Sequence, residues 1–247
     1  MLINYASSVG KGTNKSRCIQ ANLQVFLETL VVLKLFSYFC TPMKIFAIGR
    51  NYASHIQELA SFQGQPAEPV VFTKCDSALL TPGKPFFIPD HLGRIDYECE
   101  VVVRICRLGK NISERFAHRY YDSLTLGIDF TARDLQRQAI AAGLPWTVSK
   151  GFDGSAAIGE WVSKEKFLDI HHLQFHLEKN SETVQQGCTS DMLFGIDALI
   201  GYLSRFFTLK TGDLLFTGTP SGVGPVQIGD HLEGWLDERR VLDIRCK

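Results

Sequence analysis

The chain has 247 residues, 45% of them hydrophobic and 21% charged, with a formal net charge of zero. That is apolar material for one large domain or two small ones, and the even charge balance without a Lys/Arg run speaks against nucleic acid or an anionic membrane surface as partner. Seven cysteines, at 18, 40, 75, 99, 106, 188 and 246, form no C-x-x-C pair and are odd in number; reduced thiols in a cytoplasmic-type compartment fit them better than a disulfide framework or a structural zinc site.

Residues 1–21 are polar and aperiodic, whereas 23–40 are strongly apolar. Glu28 and Lys34 interrupt a stretch only just long enough to span a membrane, and no small-x-small cleavage site follows it, so neither an anchor nor a secretory signal is expected. A strand pattern opens at Met43. The reading is an N-terminal extension over 1–42, outside the chemistry, and one catalytic domain over 43–247.

Lys44 to Ile48 reads as a short buried strand. It leads into Gly49-Arg50-Asn51-Tyr52 and a short helix over 53–59, capped by Asn51 or Ser54. His55 and Glu58, three apart, share a face of that helix. They suit a general-base pair in which the carboxylate orients the imidazole, or equally an incidental surface histidine. Residues 60–68 form a loop and Pro69 to Lys74 a strand, with Lys74 facing a site or water. After a turn-rich connection at 81–85 comes the run Arg94-Ile95-Asp96-Tyr97-Glu98-Cys99-Glu100-Val101-Val102-Val103-Arg104, which reads as a strand. Residues two apart on a strand share a face, so Glu98 and Glu100 point the same way. Two adjacent carboxylates repel unless a cation lies between them; the alternative is a solvated edge strand.

Ser113 to Tyr121 reads as a short amphipathic helix and Leu124 to Phe130 as a second apolar strand, with Asp129 buried near its end and in need of a partner. Thr131 to Ala142 reads as a helix, with Thr131 and Asp134 as a capping pair. Arg133, Gln136 and Arg137 project from its first turns, toward an anion or toward solvent. In the Pro145 to Gly154 loop, Lys150 either reaches an anionic ligand or is exposed and structural. Ala156 to Val162 is a strand, and 171–179 with 184–188 form a hairpin turning at Asn180-Ser181. His171, His172 and His176 do not share a strand face and read as surface residues. Ser190 caps a longer helix whose residues Met192, Leu193, Ile196, Leu199, Ile200, Leu203 and Phe207 follow the 3.6 period, with Gly212 closing the segment. Asp213 to Phe216 is a strand. The loop from Thr217 to Pro225 lacks the G-K-[ST] ending of a phosphate-binding loop, but its glycines allow backbone N–H groups to approach a carboxylate. Strands at 231–236 and 240–246 finish a β-rich α+β domain without internal repeat or linker.

Glu98, Glu100 and Asp129 together offer hard oxygen ligands for Mg²⁺ or Mn²⁺, and no cysteine or histidine joins them, which disfavours zinc. His55 with Glu58, and Lys74, Arg133, Gln136, Lys150 and the 218–224 loop, supply a base and anion-binding groups.

In this order the motifs resemble the fumarylacetoacetate hydrolase family, in its acylpyruvase and oxaloacetate decarboxylase branch. The carriers are Gly49-Arg50-Asn51-Tyr52-Ala53-x-His55-x-x-Glu58, Tyr97-Glu98-Cys99-Glu100, Gly127 to Gln136, Gly143-Leu144-Pro145-Trp146 with Lys150, and Thr217-Gly218-Thr219-Pro220-x-Gly222-Val223-Gly224. The resemblance implies a mixed β-sandwich roll with a few flanking helices and a homodimer. It also implies metal ligation by Glu98, Glu100 and Asp129, and a water-activating His55–Glu58 dyad on a segment that orders with ligand. Lys150 matches a catalytic lysine, Gln136 and Thr219 match substrate-contact positions, and Arg50, Lys74 and Arg133 are expected as further contacts. The expected substrate is a 2-oxo acid, split by C–C hydrolysis as in acylpyruvates such as fumarylpyruvate or acetylpyruvate. Oxaloacetate decarboxylation or keto–enol tautomerisation is the rival at the same residues, and a metal-holding protein without turnover a more distant one.

A chain shortened to begin at Met43 is expected to fold and to retain activity; aggregation of that shortened protein would show that residues 1–42 are structural.

Overall fold

β1 (Ile45–Gly49) opens the described domain; the structure, a computed structural model, describes residues 44–58 and 64–247. The expected 1–42 extension, the start at Met43 and part of the expected 60–68 loop lie outside the described residues. α1 (Ala53–Glu58) follows, and β2 (Val70–Lys74) returns antiparallel to β1. β3 (Ile95–Tyr97) and β4 (Cys99–Ile105) are separated by Glu98 alone, yet belong to different sheets. β5 (Tyr121–Asp129) runs back along β4, and β6 (Thr131–Ala132) pairs with β3. Next come α2 (Arg133–Ala142), α3 (Thr147–Lys150), β7 (Ala156–Ile158) and β8 (Val162–Ser163), both of these strands pairing with β5. The second half holds β9 (Gln174–Lys179), β10 (Glu182–Cys188), α4 (Ile196–Phe206), β11 (Leu214–Phe216), β12 (Gly224–Pro225), β13 (His231–Leu236) and β14 (Arg239–Arg245).

These strands make three sheets: a seven-stranded one ordered β2-β1-β11-β4-β5-β7 with β8 also on β5, a four-stranded one ordered β10-β9-β13-β14, and a three-stranded one ordered β12-β3-β6. The large sheet is mixed, because β11 lies parallel to β1 and antiparallel to β4. Its centre reads as continuous apolar sequence because both of its faces are covered. Val101, Val103, Leu124, Leu126 and Ile128 face the larger core, whereas Val102 meets Ile45, Ala47 and Phe216 on the other side. The β-rich α+β architecture is the one expected.

Some local expectations give way to tertiary contacts. Ala132, not Thr131, occupies the N-cap of α2 and no side chain caps it; the Thr131 hydroxyl is turned inward instead. Gly143, at φ 64°, ends α2 in the left-handed conformation that favours glycine. Ser190 does not cap the long helix, which starts only at Ile196. Asn51 is the reason: its carbonyl accepts from Leu193 N–H and its side chain accepts from Phe194 N–H, which ties 193–194 to the turn before α1, next to the Tyr52–Met192 bridge. The expected helix at 113–121 is a 3₁₀ turn, Glu114–Arg119, and Tyr121 already belongs to β5. The expected strand 156–162 breaks at Gly159, where a Cβ would lie 2.1 Å from the carbonyl of Val241 and Glu160 N–H bonds that same carbonyl at 2.7 Å. The hairpin turn at Asn180-Ser181 is as expected, with φ of 55° and 68° at its two central residues.

Gly127 sits in β5 where an added Cβ would come within 2.7 Å of Ala157 O, Phe216 Cε1 and Val102 Cγ2. Gly127→Ala is therefore expected to cost about 1–3 kcal/mol by overpacking, read as a lower midpoint in urea unfolding. An unchanged midpoint would show slack between β5 and β7.

Candidate active site

The strand register builds the acid cluster. β4 and β5 pair Cys99 with Ile128 and Glu100 with Gly127, and Asp129 N–H donates to the Glu98 carbonyl at 2.8 Å. Asp129 therefore ends β5 directly beside the Glu98 that separates β3 from β4. One oxygen from each of Glu98, Glu100 and Asp129 lies within 4.8 Å of the others, and the three residues are only 5%, 1% and 0% exposed. Cys99, between the two glutamates, points to the opposite face and lies in the larger core.

Buried carboxylates need partners, and most of them have two. Arg94 and Arg133 share Asp96, with Nε distances of 2.6 and 2.7 Å. Arg133 Nη2 and Lys150 Nζ share Glu98, at 2.6 and 2.7 Å. Lys150 Nζ and Lys74 Nζ share Asp129, at 2.8 and 2.7 Å. Lys150 also donates to Thr131 Oγ1 at 2.7 Å, and Lys74 to the Lys150 carbonyl and to Ser155. The result is an alternating chain of cations and acids from Arg94 to Lys74.

Glu100 stands outside this chain. It accepts one hydrogen bond, from Gly218 N–H at 2.6 Å. Burial, with Asp129 and Glu98 as like charges, pushes its carboxyl well above the usual range. Glu98 shows the contrast: burial alone would raise it, but Lys150 and Arg133 overrule burial and hold it below the usual range. Burial lowers Lys150 too, yet Asp129 and Glu98 win and keep it an ammonium. The donor set fits a divalent cation on this observation: three convergent carboxylate oxygens, one of them on a buried acid that forms no ion pair among the described residues.

Beside the acids, α1 brings in His55, 5% exposed, whose Nδ1 lies 3.3 Å from Glu58 Oε2. Burial lowers the imidazole pKa, against the pull of Glu98 and Glu58, so the ring is neutral at pH 7. Glu58 is itself held by Gly222 N–H, at 3.1 and 3.2 Å. Asn51 anchors the turn before α1 by donating to Thr217 O at 2.7 Å and Phe194 O at 3.0 Å. Arg50, between them, adopts φ 59°, a left-handed conformation that costs a non-glycine residue energy and is found disproportionately at functional sites.

His55, Glu98, Glu100, Asp129, Lys150, Arg50, Arg133, Gln136 and Thr219 thus line one cleft, with Ile48, Phe72, Ile140 and Trp146 as its apolar wall. Three placements differ from expectation. Lys74 does not line the cleft; it is 4% exposed behind Asp129 and neutralises that acid instead of contacting substrate. Arg133 reaches the cleft with Nε, Nη1 and Nη2 already spent on Asp96, Gln136 and Glu98, so it braces the acids; the solvated alternative holds only for Arg137. Lys150 is neither exposed nor on a loop, since α3 buries it to 2% exposure. The glycine loop does present N–H groups to carboxylates, but to Glu100 and Glu58 of the protein itself. Asp96 is given no role by the sequence, and Thr131 only that of a helix cap; the signal for Asp96 is an acid two before Glu98. His231, Glu233 and Asp243 also come together, but half-buried to exposed and with Arg240 already on both acids. His171, His172 and His176 join no such group among the described residues.

A curled β-rich fold that buries three carboxylates against a lysine and an arginine defines a class of hydrolases and isomerases. The chain belongs to the fumarylacetoacetate hydrolase family: residues 44–244 match the family model for the fumarylacetoacetate (FAA) hydrolase C-terminal domain. It is 43% identical over 206 residues to a protein of Pyrococcus abyssi, covering 83% of this chain and 91% of that one. It is 40% identical over 203 residues to the mitochondrial oxaloacetate tautomerase FAHD1 of Bos taurus, covering 82% and 90%. A crystal structure of fumarylpyruvate hydrolase from Pseudomonas aeruginosa in complex with Mn²⁺ and pyruvate superposes with a TM-score of 0.77 at 32% identity, covering 83% of this chain and 89% of that one. Among the described residues no helix is long and apolar enough to cross a membrane.

Because Glu100 holds its proton to unusually high pH, a cation entering among the three acids displaces that proton. Mn²⁺ affinity is therefore expected to tighten as pH rises and to weaken as it falls. Calorimetry in two buffers of different ionisation enthalpy should count up to one proton released per ion, and a pH-independent affinity would separate Glu100 from the ion.

Proposed function

We propose that this protein is a Mg²⁺- or Mn²⁺-dependent enzyme acting on small 2-oxo acids, with keto–enol tautomerisation of oxaloacetate as its leading activity. The observation that carries the proposal is Glu100, a buried acid beside two others that forms no ion pair among the described residues. A divalent ion bound there supplies a Lewis acid for the negative charge that develops on the oxygens of a 2-oxo acid. The order of activities rests on relatives: over nearly equal shares of this chain, an oxaloacetate tautomerase is 40% identical and the fumarylpyruvate hydrolase 32%.

The chain's own residues take the remaining roles. Arg50 and Gln136 bind the substrate carboxylate at the cleft. Glu58 holds His55 by Nδ1, leaving Nε2 to face substrate. Neutral at pH 7, His55 removes a proton from C3 and returns it to the enolate oxygen. Lys150 keeps its proton between Glu98 and Asp129, and so preserves the spread of those acids. The Phe72–Trp146 pair, edge to face at 5.6 Å, forms part of the apolar wall that limits water.

The same dyad favours a second reading, hydrolysis of acylpyruvates, in which His55 takes its proton from a water that attacks the distal carbonyl. Loss of CO₂ from oxaloacetate would use the same acids without that water. The homodimer belongs to this proposal on family likeness alone. The cysteines among the described residues are free thiols, which suits a reducing compartment, cytoplasm or mitochondrial matrix alike.

Purified protein is to be assayed with oxaloacetate, acetylpyruvate and fumarylpyruvate, with Mg²⁺ and with EDTA. Decay of the enol absorbance of oxaloacetate should dominate and should vanish with EDTA. His55→Ala should slow turnover by about 10²-fold or more, and Glu98→Ala should abolish the response to metal. Protein that binds Mn²⁺ yet turns over none of the panel would overturn the enzymatic reading.

A further inference from the structure

β10 carries a bulge. Its register against β9 passes from Thr183 opposite Glu178 directly to Gln185 opposite Leu177, leaving Val184 as an extra residue. A bulge re-aims the side chains that follow it. Gln185 thereby turns inward beside Leu177 and is 2% exposed, while Gln186 faces out.

The buried amide is fully engaged. Its Oε1 accepts from Cys99 N–H at 2.9 Å, and its Nε2 donates to Thr219 Oγ1 at 2.9 Å and to Pro220 O at 3.0 Å. Thr219 Oγ1 donates in turn to Cys99 O at 2.8 Å. The partners fix the orientation of the amide, since an N–H must face its oxygen and a carbonyl its nitrogen. A closed ring of hydrogen bonds thus clamps residue 99, the one residue between Glu98 and Glu100, to the loop whose Gly218 N–H holds Glu100.

The bulge also seats the far end of that loop. A Cβ on Gly222 would lie 2.3 Å from Val184 O, so only glycine fits there, and it is Gly222 N–H that holds Glu58. One irregularity in a strand of the four-stranded sheet therefore reaches the donors of both Glu100 and Glu58.

We infer that Gln185 is a positioning residue for the cation site, setting the spread of Glu98 and Glu100 and the aim of the Gly218 donor. The inference rests on the reading that Glu98, Glu100 and Asp129 hold a divalent ion. Gln185 touches neither ion nor substrate. Removing a residue that orients ligands in this way commonly weakens metal binding by about 10–100-fold.

The test measures Mn²⁺ binding to the full chain by loss of the free-ion electron paramagnetic resonance signal, well below the melting temperature, for the parent, Gln185→Leu and Gln185→Glu. Gln185→Leu removes all three hydrogen bonds; Gln185→Glu keeps the acceptor for Cys99 N–H and loses both donors. The expected result is a cooperative melt with Mn²⁺ affinity reduced about 10–100-fold in Gln185→Leu and less in Gln185→Glu. A role in stability alone would lower the melting temperature and leave the Mn²⁺ affinity of the folded fraction in place. Affinities within twofold of the parent would overturn the inference, and so would failure of both variants to fold. A parent that binds no Mn²⁺ would overturn the cation site itself, an outcome separate from parental binding that the variants leave unchanged.

Discussion

The Lys150 ammonium between Glu98 and Asp129 is the interaction on which the site depends. Without it, three acids that are each at most 5% exposed would repel one another in a low-dielectric interior, and protonation would be the cheaper outcome. Lys150 can hold that place because α3 buries it, with Thr131 Oγ1 accepting a further hydrogen bond from the ammonium. Arg133 and Lys74 extend the pairing on either side. A buried network of this kind is weak evidence for stability. Its value here is geometric: it keeps Glu98 ionised, holds Glu98 and Asp129 apart on one ammonium, and leaves Glu100 outside the pairing.

Much of this was legible in the sequence. Period-two spacing put Glu98 and Glu100 on one face, and an aspartate at the end of an apolar strand demanded a partner. Period-three spacing joined His55 to Glu58. Elements whose residues speak through local periodicity, such as β5 and the Asn180-Ser181 hairpin, came out close to their observed bounds, whereas the single strand expected over 94–104 is two strands, broken at Glu98 and divided between two sheets. What failed was everything decided at a distance. Thr131 has the look of a helix cap, but a lysine 19 residues away claims its hydroxyl. Ser190 has the same look, but Asn51 takes the N–H groups of Leu193 and Phe194, and the helix starts only at Ile196. Lys74, Arg133 and Lys150 look like surface cations until the register of β4 on β5 brings acids to them.

The glycine loop after β11 illustrates the same limit. Its composition announces backbone N–H groups aimed at a carboxylate, and such groups are there. The carboxylates, however, belong to Glu100 and Glu58. The loop acts as a template for the protein's own acids, so glycine is required by what lies behind it: Asn51 Cβ would stand 2.7 Å from a side chain at Gly218.

Cys99 carries a consequence for which elements the protein will accept. It is flanked on both sides by proposed ligands, and sulfur there would invite thiophilic ions. Strand alternation sends it into the core instead, and burial together with Glu100 raises its thiol far above physiological pH, so no thiolate forms. The three acids would offer an ion oxygen donors only, and zinc and copper would forfeit the advantage that a single deprotonated sulfur would hand them.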